Sequence, residues 1–252
     1  MKINLLLILI LFLSCNQSEN QSDQIKQKDT LLIARQNLNE VSKIYRTFII
    51  FSDSTYFFED ILNEIGHNRE ENFKGSLQIK NDTLKFSPFE FNYNEAETAV
   101  LKNGFIEFVD GEEPFRMKIA KTSLKVNNLI DFKNFKDYAV FTNYAKFEND
   151  NVYRNIDLAT KDLKLIDQIL NFEFNKNKKL RLYSDYLKQI TSIKNEKNEN
   201  IVNIYCYCKN SHTLDSFQFY KIGMHDGGNC NVYVQLNLKT RKIEILNISG
   251  IG

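Results

Sequence analysis

The sequence predicts a strand-rich α+β protein: an antiparallel N-terminal β domain, sandwich or barrel-like, followed by a C-terminal helix-and-meander module. Three observations predict it. The chain holds 20 Phe and 12 Tyr against 2 Pro and no Trp, and aromatic and β-branched residues suit strands. Short alternating runs, separated by turn pairs such as Asn81-Asp82 and Asn103-Gly104, recur between residues 44 and 125. One long apolar stripe, Leu163, Ile166, Leu170 and Phe174, keeps helical spacing and is followed by alternating strands.

The chain opens on Lys2, a continuous apolar stretch from Leu5 to Leu13, and the small residue Ser14 before Cys15. That order is the order of a secretory signal peptide. The stretch is shorter than the roughly 20 apolar residues a spanning helix needs. The polar residues 16–30 that follow leave nothing adjacent to continue a core. Phe12-Leu13-Ser14-Cys15 resembles the lipobox of bacterial lipoproteins, departing from its usual form at Phe12 and Leu13. The resemblance covers residues 1–15. It implies loss of residues 1–14, a diacylglyceryl thioether on Cys15 and an acylated amino terminus, hence a cell-envelope protein held on a membrane by lipid. Two or more acyl chains anchor stably where one does not. Residues 16–28, rich in Gln, Asn, Ser and charge and without an aromatic residue, read as a tether, because such a composition buries too little surface to order itself. The expected division is therefore 1–14 signal, 15–28 lipidated cysteine and tether, 29–150 β domain, and 151–252 α+β domain.

Within the β domain, Leu31, Ala34, Leu38, Val41 and Tyr45 recur at spacings of three and four, predicting a helix over Thr30 to Tyr45. Two strands then flank the turn Ser52-Asp53-Ser54, and one helical turn is expected at Ile61 to Gly66. Hairpins follow at Asn81-Asp82 and at Asn103-Gly104, the latter a strong hairpin signal, and Asp110-Gly111 turns into a strand at Phe115 to Ile119. In the second domain Thr160 is the expected helix cap, and strands are predicted near 185–194, 200–208, 216–222, 230–238 and 241–248. One helix before a curled meander is a cystatin-like layout. The segment Ile204-Tyr205-Cys206-Tyr207-Cys208, then Asp226-Gly227-Gly228-Asn229-Cys230, then the last hairpin, resembles the C-terminal part of a group of uncharacterised bacterial envelope proteins. That resemblance covers residues 183–252 and implies no activity.

Composition excludes one class. Lys2 is the only charge in residues 1–14, so the mature chain carries 32 basic and 32 acidic residues. A nucleic-acid binder shows a net basic footprint instead. No nucleic-acid partner is expected; the expected partners are the membrane and another envelope protein.

Export favours disulfides. Cys206 and Cys208 share a strand face, so Cys230 is the natural partner of one of them. With a strand at 216–222 between them, however, the two positions fall at opposite ends of the meander. Either the strand order is not sequential or the thiols are buried and free. Cys206, Cys208, His212, His225 and Cys230 have ligand chemistry, but their spacing does not match short zinc knuckles, and no metal or cofactor is expected. His225-Asp226 beside Cys230 suggests a thiol-dependent or other hydrolase. The alternative, that Asp226-Gly227-Gly228-Asn229 is turn chemistry, is preferred, and the chain lacks Gly-x-Ser-x-Gly, a phosphate loop, His-Glu-x-x-His and a calcium loop. His67 stands alone near an expected loop. The pairs Glu59-Asp60, Glu70-Glu71 and Glu112-Glu113 read as solvated edges, since neighbours on a strand face opposite ways. Lys176 to Arg181 reads as a solvated helix end. Asp29-Thr30-Leu31 and Asp82-Thr83-Leu84 resemble short O-glycosylation triplets. No catalytic residue is therefore assigned. The expectation is a lipid-anchored, non-enzymatic binding or structural protein, with a Phe- and Tyr-lined ligand pocket in the β domain as an alternative.

Overall fold

A computed structural model describes residues 29–39, 43–64, 66–87, 96–110, 115–142, 154–224 and 226–250. Eight strands form the first half: β1 (Thr30–Leu38), β2 (Lys43–Phe51), β3 (Thr55–Glu64), β4 (His67–Lys80), β5 (Thr83–Ser87), β6 (Thr98–Lys102), β7 (Phe105–Phe108) and β8 (Phe115–Thr122). They pair in sequence order, and β8 returns to pair antiparallel with β1, closing a barrel. Closure leaves no unpaired edge.

The interior follows from period two. Leu32 and Ala34 on β1, Phe48 and Ile50 on β2, Tyr56 and Phe58 on β3, Leu84 and Phe86 on β5, Ile106 and Phe108 on β7, and Phe115 and Met117 on β8 form one core. Phe48 touches the rings of Tyr56, Phe58, Phe86 and Phe108 at 5.7 to 6.2 Å. Each such buried side chain contributes on the order of 1.5–3 kcal/mol. Most of the Phe and Tyr side chains of these strands thus fill the barrel interior.

The same inward rows turn polar at one end. Gln36, Arg46 and Asp60 are all buried. Arg46 Nε donates to Asp60 Oδ1 at 2.8 Å and Nη1 to Gln36 Oε1 at 2.8 Å. Arg69 reaches Asp60 Oδ2 at 3.2 Å. Asp60, expected on a solvated edge, is thus an interior carboxylate, while its neighbour Glu59 is only half-buried.

Two expected helices are strands. Residues 30–38 and 43–51 pair residue by residue, Ala34 with Phe48 and Gln36 with Arg46, and β3 runs on through Ile61 to Glu64 opposite His67. The hairpins at Asn81 and Asn103 form as expected, both residues at positive φ. Residues 111–114, with Glu112-Glu113, lie outside the described residues.

A connector with a single 3-10 turn (Phe132–Asn134) leads into β9 (Tyr138–Val140), β10 (Arg154–Asn155), helix α1 (Thr160–Lys176) and a second 3-10 turn (Tyr183–Asp185). Then come β11 (Tyr186–Lys194), β12 (Asn200–Cys208), the short helix α2 (Ser211–Ser216), a 3-10 turn (Gly228–Cys230), β13 (Asn231–Asn237) and β14 (Lys242–Ile248). The second sheet has the order β10-β11-β12-β13-β14, with β9 parallel to β11. Since β9 precedes residue 150, this sheet draws on both of the expected domains.

Leu163, Ile166, Leu170 and Phe174 of α1 cover one sheet face, against Tyr186, Ile190, Ile204, Val232 and Val234. Asp162, not Thr160, caps the helix: its Oδ2 accepts the Ala159 N–H at 2.9 Å, the carboxylate standing at the positive end of the helix dipole. Thr160 Oγ1 instead accepts the Asp131 N–H at 2.9 Å.

No strand forms at 216–222. Gln189, buried in β11, holds that segment by side-chain bonds instead: its Nε2 donates to Phe217 O at 2.7 Å and its Oε1 accepts the Ile222 N–H at 2.8 Å. No helix among the described residues is long and apolar enough to cross a membrane.

Candidate functional site

Without a strand at 216–222, β12 and β13 become antiparallel neighbours, with Tyr207 opposite Asn231. One residue further out, Cys208 faces Cys230. The two are joined by a disulfide with Cα atoms 4.7 Å apart, inside the range a disulfide requires. Cys206 is free and buried. Burial pushes its thiol up to about 12, with Lys188 opposing, so it stays protonated and unreactive near neutral pH.

That geometry removes the thiol-hydrolase arrangement from Cys230, whose sulfur is already bonded. His225, its expected partner, lies outside the described residues, as does Cys15. Asp226-Gly227-Gly228-Asn229 is turn structure. Gly227 has φ of 129° and a Cβ there would meet Met224 Sδ at 2.8 Å, while Asn229 O accepts the Tyr186 hydroxyl at 2.6 Å. His212 is exposed on α2, and no metal-holding group of three residues occurs among the described residues. His67 and Glu70 are exposed, as are Lys176, Lys178, Lys179 and Arg181. Of the two triplets, Thr30 is exposed and Thr83 half-buried.

Two ionisable groupings escaped sequence reasoning. The first lies beneath α1. Tyr138 and Tyr183 both donate to Asp167 Oδ1 at 2.7 Å. Lys188, 2% exposed, sits over the Tyr183 ring at 4.0 Å and donates to Tyr183 O at 3.3 Å. Burial pulls its amine below the ordinary lysine value. Burial raises both phenols as well, Tyr138 further through its phenol neighbour Tyr183 and Tyr183 through its hydrogen bond to Asp167. Tyr138 and Lys188 belong to neighbouring strands paired in register, which explains the clustering. Within it Lys188 and Tyr138 are buried and Asp167 and Tyr183 half-buried.

The second lies where the barrel meets the second sheet. Phe105, Glu107 and Arg116 point outward from β7 and β8, yet all three are buried. Arg116 Nη1 donates to Val140 O at 2.7 Å and its Nε donates to Gln218 O. Its guanidinium lies between the Phe105 and Phe141 rings at 4.1 and 4.2 Å, a favourable stacking for a cation. Glu107 accepts the Thr142 N–H at 2.9 Å and the Thr142 hydroxyl at 2.6 Å. Burial lowers the Arg116 pKa to about 10, with Glu107 acting in the opposite direction, so the side chain remains a cation at neutral pH.

Beside this contact opens a cleft of about 380 Å³ whose lining includes Asn103, Phe105, Arg116, Lys118, Phe132, Phe135, Lys136 and Tyr138. Asn103 Oδ1 accepts the Leu129 and Ile130 N–H groups at 2.9 and 3.2 Å, pinning the β6–β7 turn to the connector and fixing that wall. A larger concavity, about 580 Å³, lies at Phe51, Tyr56, Phe57 and Lys74, but no buried charge stands on its wall. The chain matches no family model, no curated protein and no solved structure.

Proposed function

We propose that the chain is a lipid-anchored envelope protein that binds rather than catalyses, with the junction cleft as its binding site. The observation that carries the binding role is the cleft itself: a buried guanidinium flanked by aromatic walls borders an opening to solvent, whereas the Cys206 thiol and the Lys188 amine are buried and line none of it. Lys2, the apolar stretch Leu5 to Leu13 and the Ser14-Cys15 junction support the anchor. The Cys208–Cys230 bond supports an oxidising compartment. The helix packed on an antiparallel sheet supports a cystatin-like second module and, by analogy of fold alone, a surface for an envelope protein partner.

Fractionation tests the anchor. Wild type partitions with membranes and needs detergent for release, while Cys15→Ala is recovered in the soluble fraction. Both forms behaving as soluble proteins rejects the anchor.

A further inference from the structure

Arg116 is 2% exposed. Its Nε and Nη1 are committed to the carbonyls of Gln218 and Val140. Its Nη2 has no hydrogen-bond partner among the described residues and is not sealed from solvent. A guanidinium held this firmly in the wall of a cleft, with one nitrogen unused, is a preorganised donor for an anion. The one carboxylate placed opposite it in the sheet register, Glu107, spends both oxygens on Thr142.

The remaining lining sharpens the ligand class. Lys118 and Lys136 are exposed cations at the cleft, and no acidic residue is among the lining residues. Phe105, Phe132, Phe135 and Tyr138 supply aromatic walls. A volume of about 380 Å³ falls in the range of small-molecule sites, which are mostly apolar with a few placed polar groups. A strongly hydrated inorganic anion gains nothing from four aromatic side chains. A neutral apolar molecule leaves the guanidinium nitrogen unpaired, and an unpaired buried donor costs on the order of the desolvation of that group.

We propose that this cleft binds a small organic carboxylate, its anionic group on Arg116, Lys118 and Lys136 and its aromatic body against Phe105, Phe132, Phe135 and Tyr138. The proposal rests on the binding role assigned above and names its ligand class.

The test uses the full-length protein in detergent, titrated with fluorescent 2-naphthoate after subtraction of empty micelles. The neutral analogue 2-naphthalenemethanol and inorganic phosphate are run alongside. Naphthoate is expected to bind saturably and about tenfold more tightly than the neutral analogue, the size of one charge-assisted hydrogen bond. Phosphate at matched concentration should leave it bound. Lys118→Gln with Lys136→Gln, both at exposed positions, should weaken naphthoate about tenfold and leave the neutral analogue unchanged. Arg116→Lys, which keeps a cation but loses the planar donor, should weaken it further. Equal binding of the neutral analogue, displacement by phosphate, or an unchanged affinity in the double lysine variant overturns the proposal. Membrane partition is read from the same preparation. An anchored protein that fails to bind naphthoate rejects the ligand alone. A released protein that still binds it rejects the anchor and keeps the cleft.

Discussion

The barrel and the junction bury an arginine in opposite ways. Inside the barrel, Arg46 meets the carboxylate of Asp60 at 2.8 Å and the amide of Gln36 at the same distance. At the junction, Arg116 is held by two backbone carbonyls and two aromatic rings. The first cation is neutralised by its own core and serves the fold. The second makes no ion-pair contact, its register neighbour Glu107 bonding to Thr142 instead, and it borders a cleft. The pair shows that burial alone does not mark a site; what counts is whether a carboxylate already pairs directly with the cation.

The largest expected effect breaks the neutralised side. Asp60→Ala strips Arg46 of its carboxylate inside the barrel and should destabilise the protein by about 3–5 kcal/mol, read as a lower urea midpoint. Asp60→Asn, which keeps a hydrogen-bond acceptor, should fall between wild type and alanine. An alanine variant as stable as wild type ends the contrast.

Next comes the staple of the second sheet. Replacing Cys208 and Cys230 together by Ala should lower stability by about 2–4 kcal/mol, and reductant should no longer shift the midpoint of that variant. Wild type that is insensitive to reductant under denaturing conditions contradicts the bond.

Arg116→Met tests the junction. It leaves Val140 O and Gln218 O without their donor, costing about 1–3 kcal/mol, while Glu107, opposite it in the sheet, keeps both of its hydrogen bonds to Thr142. Its cost should therefore be smaller than that of Asp60→Ala. The reverse order shows that Arg116 is the structural cation of the two.

Alkaline titration gives the smallest and most specific signal. Burial raises the Cys206 pKa from an ordinary value of 9.0 to about 12. A group held protonated in the fold lends stability that is present below its unfolded pKa and lost as pH climbs through the folded one. Stability should fall between pH 9 and about 12, and Cys206→Ala should make that fall shallower. Lys188 has the opposite sign: its folded pKa is lowered, so its contribution rises with pH across the interval below the ordinary lysine value. Lys188→Met should therefore steepen the alkaline loss. Identical slopes in all three proteins sink both assignments.

Much of the strand architecture was legible because its inward rows are apolar. β5 to β8 declare themselves through Leu84 and Phe86, Ile106 and Phe108, Phe115 and Met117. The first strands do not. Their inward rows include Gln36, Arg46 and Asp60, so the period-two signal is broken where the barrel is polar, and Leu31, Ala34 and Leu38 mimic a helix. The segment 216–222 departs from the expected strand for a related reason: Phe217, Phe219 and Ile222 alternate like a strand, but the backbones of Phe217, Tyr220 and Ile222 bond to the Gln189 side chain, which no local pattern reports. Arg116 was overlooked because alternation with Phe115 and Met117 sends it to the barrel's outside, the usual place for a solvated charge. Only the second sheet, folded against that outside, buries it. The thiols were visible from the start, and the false strand alone hid which of them meet.

The segment around Tyr220 has a kinetic consequence. Tyr220 stacks on Phe115 at 5.6 Å and its hydroxyl donates to Gln36 at 3.1 Å, 184 residues away in sequence. The barrel's strands are contiguous along the chain, yet its polar end is finished by a residue from the last part of the polypeptide. Loop closure over such a separation is slow relative to hairpin formation. Seven of the barrel's pairings join strands adjacent in sequence, but the Gln36–Arg46 end stays uncovered until residue 220 arrives. The barrel's hairpins are local, yet its polar end is complete only when residue 220 docks on it.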